Sequence, residues 1–219
     1  MIQNIKLNFD KVEKILHVAD IHIRNYQRHR EYREVFKQLY SACKDLPENS
    51  LIYVAGDIVH NKTDISPELI DITSEFLNNL ANIRPTIIIT GNHDTNLNNT
   101  SRLDALTPIV NNLNNKNLYY LKDSGVYKFG NIHLTVFSIF DHPSTYIKAE
   151  SFDAETKIAL FHGPVKSSKT DIGYEVTGDE YKADLFNGYD ISLLGDIHKR
   201  QYVDKAKKIC YPGSLIQQN

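Results

Sequence analysis

Short apolar runs rich in β-branched residues alternate along this chain with stretches whose apolar positions recur every three or four residues. The runs Ile15 to Val18, Leu51 to Ala55, Thr86 to Ile89, Leu134 to Phe140, Ile158 to Phe161 and Ile191 to Leu194 read as strands. Most are too continuously apolar to leave one face wet, which predicts central strands. Between them, Arg30 to Cys43 sets Tyr32, Phe36, Leu39 and Cys43 on one helical stripe. Ser66 and Pro67 supply an N-cap and a first-turn proline ahead of Leu69, Ile72, Phe76 and Leu80. Gly130 and Asn131 break the stretch from Val126 to Phe140 into a hairpin, and the Lys, Asp and Gly content from Lys199 to Gly213 predicts another. Asn96 to Asn117 is Asn-rich and interrupted by Pro108, which predicts a short helix within an irregular loop. Strands alternating with helices define an α/β domain.

A length of 219 residues with 41% hydrophobic composition supports one core, so residues 1–219 are expected to form one domain, without repeats or linkers. The formal net charge of -2 excludes a globally basic nucleic-acid binder; any such contact must come from a local concentration of cations. Cys43 and Cys210 lie far apart with no second thiol nearby, which excludes a zinc ribbon and a disulfide framework and leaves two reduced thiols. The opening residues carry neither a signal peptide's apolar segment nor a transit peptide's arginines, and no stretch approaches membrane-spanning length. An intracellular, cytoplasmic protein without a membrane partner is expected.

The residues just beyond the strands carry the chemistry. Ile15 to Val18 runs into Asp20 and His22, Leu51 to Ala55 into Gly56-Asp57, and Thr86 to Thr90 into Gly91-Asn92-His93-Asp94. Ile158 to Phe161 ends in His162-Gly163, and Ile191 to Leu194 ends in Gly195-Asp196-Ile197-His198. Ligands of open α/β sheets bind beyond the carboxyl ends of the strands, so these strand ends should converge on one rim. Glycines at 56, 91, 163 and 195 fit tight turns that let backbone approach it. Each piece alone has a plainer reading: Asp-x-His as a surface turn, Gly-Asp as an Asx turn, His162 as a satisfied buried histidine. Their joint order has none.

Taken in that order, Asp20-x-His22, Gly56-Asp57, Gly91-Asn92-His93-Asp94, His162 and the Gly-x-x-His of Gly195 to His198 resemble the calcineurin-like metallophosphoesterase signature across nearly the whole chain. The resemblance implies a four-layer α/β/β/α sandwich of two mixed sheets with helices outside. It also implies two divalent metal ions, one on Asp20, His22 and His198, the other on Asn92, His162 and residue 196, with Asp57 bridging both. Two such cations clamp a phosphate and stabilise both the attacking and leaving oxygens of an in-line displacement. The family's last motif is normally Gly-His-x-His, and here Asp196 stands in the first histidine's place. A carboxylate is harder than imidazole, which tilts the expected metal toward Mn²⁺, with Mg²⁺ or Fe as alternatives, over Zn²⁺.

His93 matches the family's catalytic histidine, which would protonate or stabilise the departing oxygen while Asp94 orients its ring. His60, in Gly-Asp-x-x-His, resembles the phosphate-stabilising histidine of the double-strand-break repair nucleases of the SbcD type, as does Tyr211-Pro212-Gly213-Ser214. Arg24, Arg28, Arg30 and Arg33 follow the first motif, Lys166 and Lys169 follow His162, and Lys199 and Arg200 follow His198. Of these, Arg24, Arg28, Arg30, Lys166, Lys199 and Arg200 are expected to contact DNA through its phosphates and without sequence preference. The resemblance thus implies a manganese-dependent nuclease, exonuclease or endonuclease, that works in DNA repair with an SMC-like ABC ATPase and as a homodimer. It further implies a catalytic domain without the capping and partner-binding region of such nucleases. A small-substrate phosphodiesterase or phosphatase of the same fold, and a non-catalytic DNA- or ATPase-binding scaffold disabled by Asp196, stand beside that reading.

Overall fold

The structure is a computed structural model that describes residues 2–218. Strands β2 (Lys14–Val18), β3 (Ser50–Val54), β4 (Thr86–Ile88) and β5 (Leu118–Tyr120) form one sheet in that order, parallel throughout. The second is seven-stranded and mixed. It takes β1 (Ile2–Ile5), β6 (Gly125–Phe129), β7 (Ile132–Phe137), β8 (Thr156–His162), β9 (Ile191–Gly195), β11 (Ile209–Tyr211) and β10 (Gln201–Tyr202) in that spatial order. Among the described residues, only the β6–β7 and β10–β11 strand pairs of this sheet are antiparallel, at the two places where the turn residues predicted hairpins.

Side chains alternate across each strand and sort the core into layers. Leu51, Tyr53 and Ala55 face inward against Phe129, Leu134, Ile158, Leu160 and Leu193 of the other sheet. Ile52 and Val54 face outward onto helices α1 (His29–Lys44) and α2 (Pro67–Ile83), which bury the stripe Tyr32, Phe36, Leu39, Cys43 and the series Leu69, Ile72, Phe76, Leu80. Ser66 caps α2 by accepting from the Leu69 amide at 3.2 Å, with Pro67 in the first turn where no amide donor is required. Helix α3 (Leu106–Leu113) tolerates Pro108 for the same reason, and Asp104 caps it by accepting from Leu106 and Thr107 at 2.9 and 2.7 Å.

The two-sheet sandwich is as expected, with two differences. The smaller sheet is parallel rather than mixed. On the outer face of the larger one, the apolar layer of Phe137, Phe161 and Leu194 is closed by short 3-10 turns at Pro143–Thr145, Ala149–Ser151 and Ala183–Phe186, which bring Tyr146, Phe186 and Tyr189 onto it. Five of the runs read as central strands lie inside their sheets; Ile15 to Val18 falls in β2, at a sheet edge. Both cysteines are free thiols, and among the described residues no helix is long and apolar enough to cross a membrane.

Candidate metal centre

Parallel pairing of β2 with β3 brings two ligand-bearing turns side by side, and the ladder continues beyond the strands. The His22 amide donates to the Asp57 carbonyl at 2.9 Å, Ile23 to Ile58 at 2.9 Å and His60 back to Ile23 at 3.0 Å. Asp20, His22 and Asp57 thereby adopt left-handed backbone, with φ of 54°, 50° and 51°, and Asp196 follows at 97°. Left-handed residues other than glycine cost about 1–3 kcal/mol each and persist where the surroundings impose them. Gly195 permits the tightest approach: a Cβ there would collide with the Ala55 carbonyl oxygen and lie 2.7 Å from His162 Nδ1.

The strand ends converge on one rim, as the motif order predicts. Asp57 sits at the middle, with Oδ2 3.5 Å from His22 Nε2 and Oδ1 3.3 Å from His162 Nε2. Around His162 Nε2 lie Asn92 Oδ1 at 3.0 Å and Asp196 Oδ1 at 3.8 Å. On the other side His22 Nε2 is 3.0 Å from His198 Nε2. Asp20 offers a carboxylate oxygen within 4.8 Å of ligand atoms of both groups, with His22 and His198 on one side and Asp57 and His162 on the other. His162 Nδ1 donates to the Ala55 carbonyl at 2.6 Å, which orients the ring with Nε2 toward the cluster.

These residues fit divalent cations. Asp20, His22, Asp57 and His162 are all buried, and Asp20 Oδ2 has no hydrogen-bond partner among the described residues. Burial pushes the Asp20 carboxyl up to about 8, against the pull of His162 and with the repulsion of Asp57 and Asp196. Burial likewise raises Asp196 and drives the His22 imidazole down to about 3. Burial alone would raise Asp57 as well, but His162, by charge and hydrogen bond, with His22 and His93, holds it well below the usual carboxylate range. Carboxylate oxygens and imidazole nitrogens crowded in one dry pocket are costly together, and against its burial His162 is drawn upward by Asp57 and Asp196; cations placed among these groups would satisfy them.

The sequence-predicted acid–base residues lie beside this cluster. The His93 ring meets His22 edge-on at 4.6 Å and stacks on His60 at 5.5 Å. His93 Nδ1 donates to the His60 carbonyl at 2.6 Å, which leaves Nε2 for a substrate. The expectation that Asp94 orients this ring is corrected: the buried Asp94 carboxylate instead accepts from the amides of Ile58, Val59 and Gly91 at 2.9, 3.0 and 2.9 Å. It clamps the Asp57 turn to the Asn92 turn. Lys62, which the motifs did not single out, donates to the Asn92 carbonyl at 3.2 Å. Asp171, with no motif to mark it, brings Oδ2 to 4.0 Å from His198 Nδ1.

The basic residues divide. Arg30, Lys199 and Arg200 are exposed, and none is ion-paired among the described residues. Arg24 reaches the Gln218 carbonyl at 3.3 Å. Arg28 is engaged by Glu31 at 2.6 Å and by the Gln217 carbonyl at 2.7 Å, and Lys166 by Asp179 at 2.7 Å. Arg33 is tied to Asp71 and Glu75 of α2.

Comparison with known proteins agrees with the geometry. The chain is 45% identical over 234 aligned positions to uncharacterized protein R555 of Acanthamoeba polyphaga mimivirus, an alignment that covers 100% of this chain and 17% of that protein. The pattern of the calcineurin-like phosphoesterases matches residues 13–200, a span that holds every ligand of the metal cluster. A match of that extent, centred on the strand ends, places the chain in the calcineurin-like phosphoesterase family.

Proposed function

We propose that the chain is the catalytic region of a manganese-dependent DNA nuclease of the SbcD-type repair class. Family membership implies metal-dependent hydrolysis of phosphoesters. The observation that carries the finer reading is the pairing of His60 with His93 over an open cavity of about 290 Å³, lined by these two with Asn61 and Lys62 and adjoining His22. A shallow cavity edged by imidazoles and one ammonium suits a phosphodiester that remains part of a polymer, whereas a small ester is better held by enclosure.

Asp20, His22 and His198 would hold one cation, Asn92, His162 and Asp196 the other, with Asp57 shared. Bound there, the pair supplies Lewis-acid polarisation of the phosphoryl oxygens and a water acidic enough to be a nucleophile at neutral pH. His93 Nε2, aimed by the His60 carbonyl, hands a proton to the departing oxygen. The His60 ring, held against His93, stabilises a phosphoryl oxygen as charge develops on it. The carboxylate of Asp196 favours a harder metal than an imidazole there would. Partners implied by the same resemblance are an SMC-like ABC ATPase and a second copy of the chain.

The test is cleavage of end-labelled single- and double-stranded DNA with Mn²⁺, alongside His60→Ala and His93→Ala. Cleavage that both substitutions depress by about 10²-fold or more is expected. The ion pairing of Arg28 and Lys166 favours a second reading, a small-substrate phosphodiesterase. Hydrolysis of a nucleotide ester with DNA left intact would establish it.

A further inference from the structure

Between His162 and the last ligand motif the chain makes a small projecting turn whose construction the metal centre does not explain. Thr170 donates to the Tyr174 carbonyl at 2.8 Å and Gly173 to Thr170 at 3.0 Å, while the stem is closed by the Ser167 amide donating to the Val176 carbonyl at 2.8 Å and the Val176 amide donating to the Ser168 carbonyl at 2.9 Å. The stem is anchored twice. Buried Tyr211 takes the Val165 amide on its hydroxyl at 2.9 Å and donates to the Gly163 carbonyl at 2.7 Å. Gln201 accepts from the Lys169 amide at 2.8 Å and donates to the carbonyls of Lys169 and Lys199 at 2.7 and 3.0 Å. A turn so held is a fixed projection, and its tip presents Ile172 at 93% exposure and Tyr174 at 59%.

At the turn, the Asp171 carboxylate lies 4.0 Å from His198 Nδ1, so the tip stands at the edge of the metal cluster. Through Gln201, the stem also gathers Lys169 and Lys199, with Arg200 next in sequence; all are exposed and none is ion-paired among the described residues. A single exposed apolar side chain needs no explanation. Two on one braced turn, beside the cluster and with unpaired cations at its stem, need a contact partner. The flat ring and branched side chain are too small a surface for a stable protein interface, which buries about 800 Å² per partner. They do match one nucleobase, stacked on an aromatic ring while neighbouring cations take its flanking phosphates.

We infer that Ile172 and Tyr174 form an apolar finger that stacks on an unpaired base of the nucleic-acid strand whose adjacent phosphodiester lies on the metal cluster. The inference rests on the nuclease reading and assigns the finger a preference for single-stranded or end-frayed substrate. It is tested on the full chain with a single strand carrying 2-aminopurine, whose fluorescence changes as the base leaves its neighbours, measured in EDTA so that nothing is cleaved. Ile172→Ser/Tyr174→Ser is expected to weaken binding about ten-fold, the equivalent of one lost stacking contact, and to abolish the fluorescence change. Tyr174→Phe, which keeps the ring, should retain both. With Mn²⁺ present, the double variant should lose about ten-fold more in kcat/KM on single-stranded DNA than on bis(p-nitrophenyl) phosphate. Equal losses on the two substrates, or a surviving 2-aminopurine signal, would overturn the finger while leaving the nuclease intact. A wild-type chain that hydrolyses the small diester, spares DNA and gives no signal would remove the nuclease reading, and the finger with it. A double variant that changes only self-association would assign the tip to a second copy and overturn the inference.

Discussion

The two halves of the metal cluster each combine imidazole with carboxylate and hold them differently. Around His162 everything is locked: the ring is 2% exposed, Nδ1 is bonded to the Ala55 carbonyl, and Asn92 Oδ1 is 3.0 Å from Nε2. Around His22 and His198 the hold is looser, since His22 Nδ1 has no hydrogen-bond partner among the described residues and the Nδ1 of half-buried His198 lies 4.0 Å from the loop carboxylate of Asp171. Ligands whose rings are already oriented lose less entropy on binding, so the His162 half should take its cation first and release it last. Asp57 reaches into both, with one oxygen 3.5 Å from His22 Nε2 and the other 3.3 Å from His162 Nε2.

That contrast can be broken most severely at Asp57. Asp57→Asn removes the charge both halves share, and several kcal/mol of lost Lewis-acid stabilisation corresponds to about a thousand-fold in rate. Metal analysis should then return at most one Mn²⁺ per chain. Next comes the backing of the locked half: Gly195→Ala drives a methyl into the Ala55 carbonyl and against His162 Nδ1. A cost of about 3 kcal/mol would lower the melting temperature by roughly 6–12 °C, whereas Gly178→Ala, with open space around it, should leave it unchanged. The order of loading is read by Mn²⁺ titration calorimetry, where two steps separated by about 10–100-fold are expected, with His198→Ala abolishing only the weaker. Two equal steps would end the comparison. Tyr211→Phe strands the Val165 amide and Gly163 carbonyl and should cost about 1–3 kcal/mol by chemical denaturation, with metal stoichiometry kept. The smallest effect is expected from Asp171→Ala, less than about five-fold on the weaker metal step, because that carboxylate is exposed to solvent.

The central strands and both hairpins were legible because apolar continuity and turn residues are local signals. The N-terminal strand Ile2–Ile5 was not: its Gln and Asn are poor strand formers, and it is held by parallel pairing with β6, more than a hundred residues on. Leu118–Tyr120 is too short to show a period, and the edge position of β2 depends on which strands arrive beside it. The ligands could be read because each follows a strand, and strand ends meet. What Asp94 does could not, since its amide partners on the Asp57 turn are 35 and 36 residues away in the chain. The neutralisation of Arg28 was within reach, because Glu31 stands three residues further along and helical neighbours at that spacing pair.

His22 and His198 are separated by 176 residues, yet their Nε2 atoms lie 3.0 Å apart. A nascent chain therefore leaves the ribosome with its earliest coordinating groups exposed long before the last one exists. Ion capture must wait for translation to pass His198, and the scarcer the ion in the surrounding fluid, the smaller the share of finished molecules it draws into the folded state.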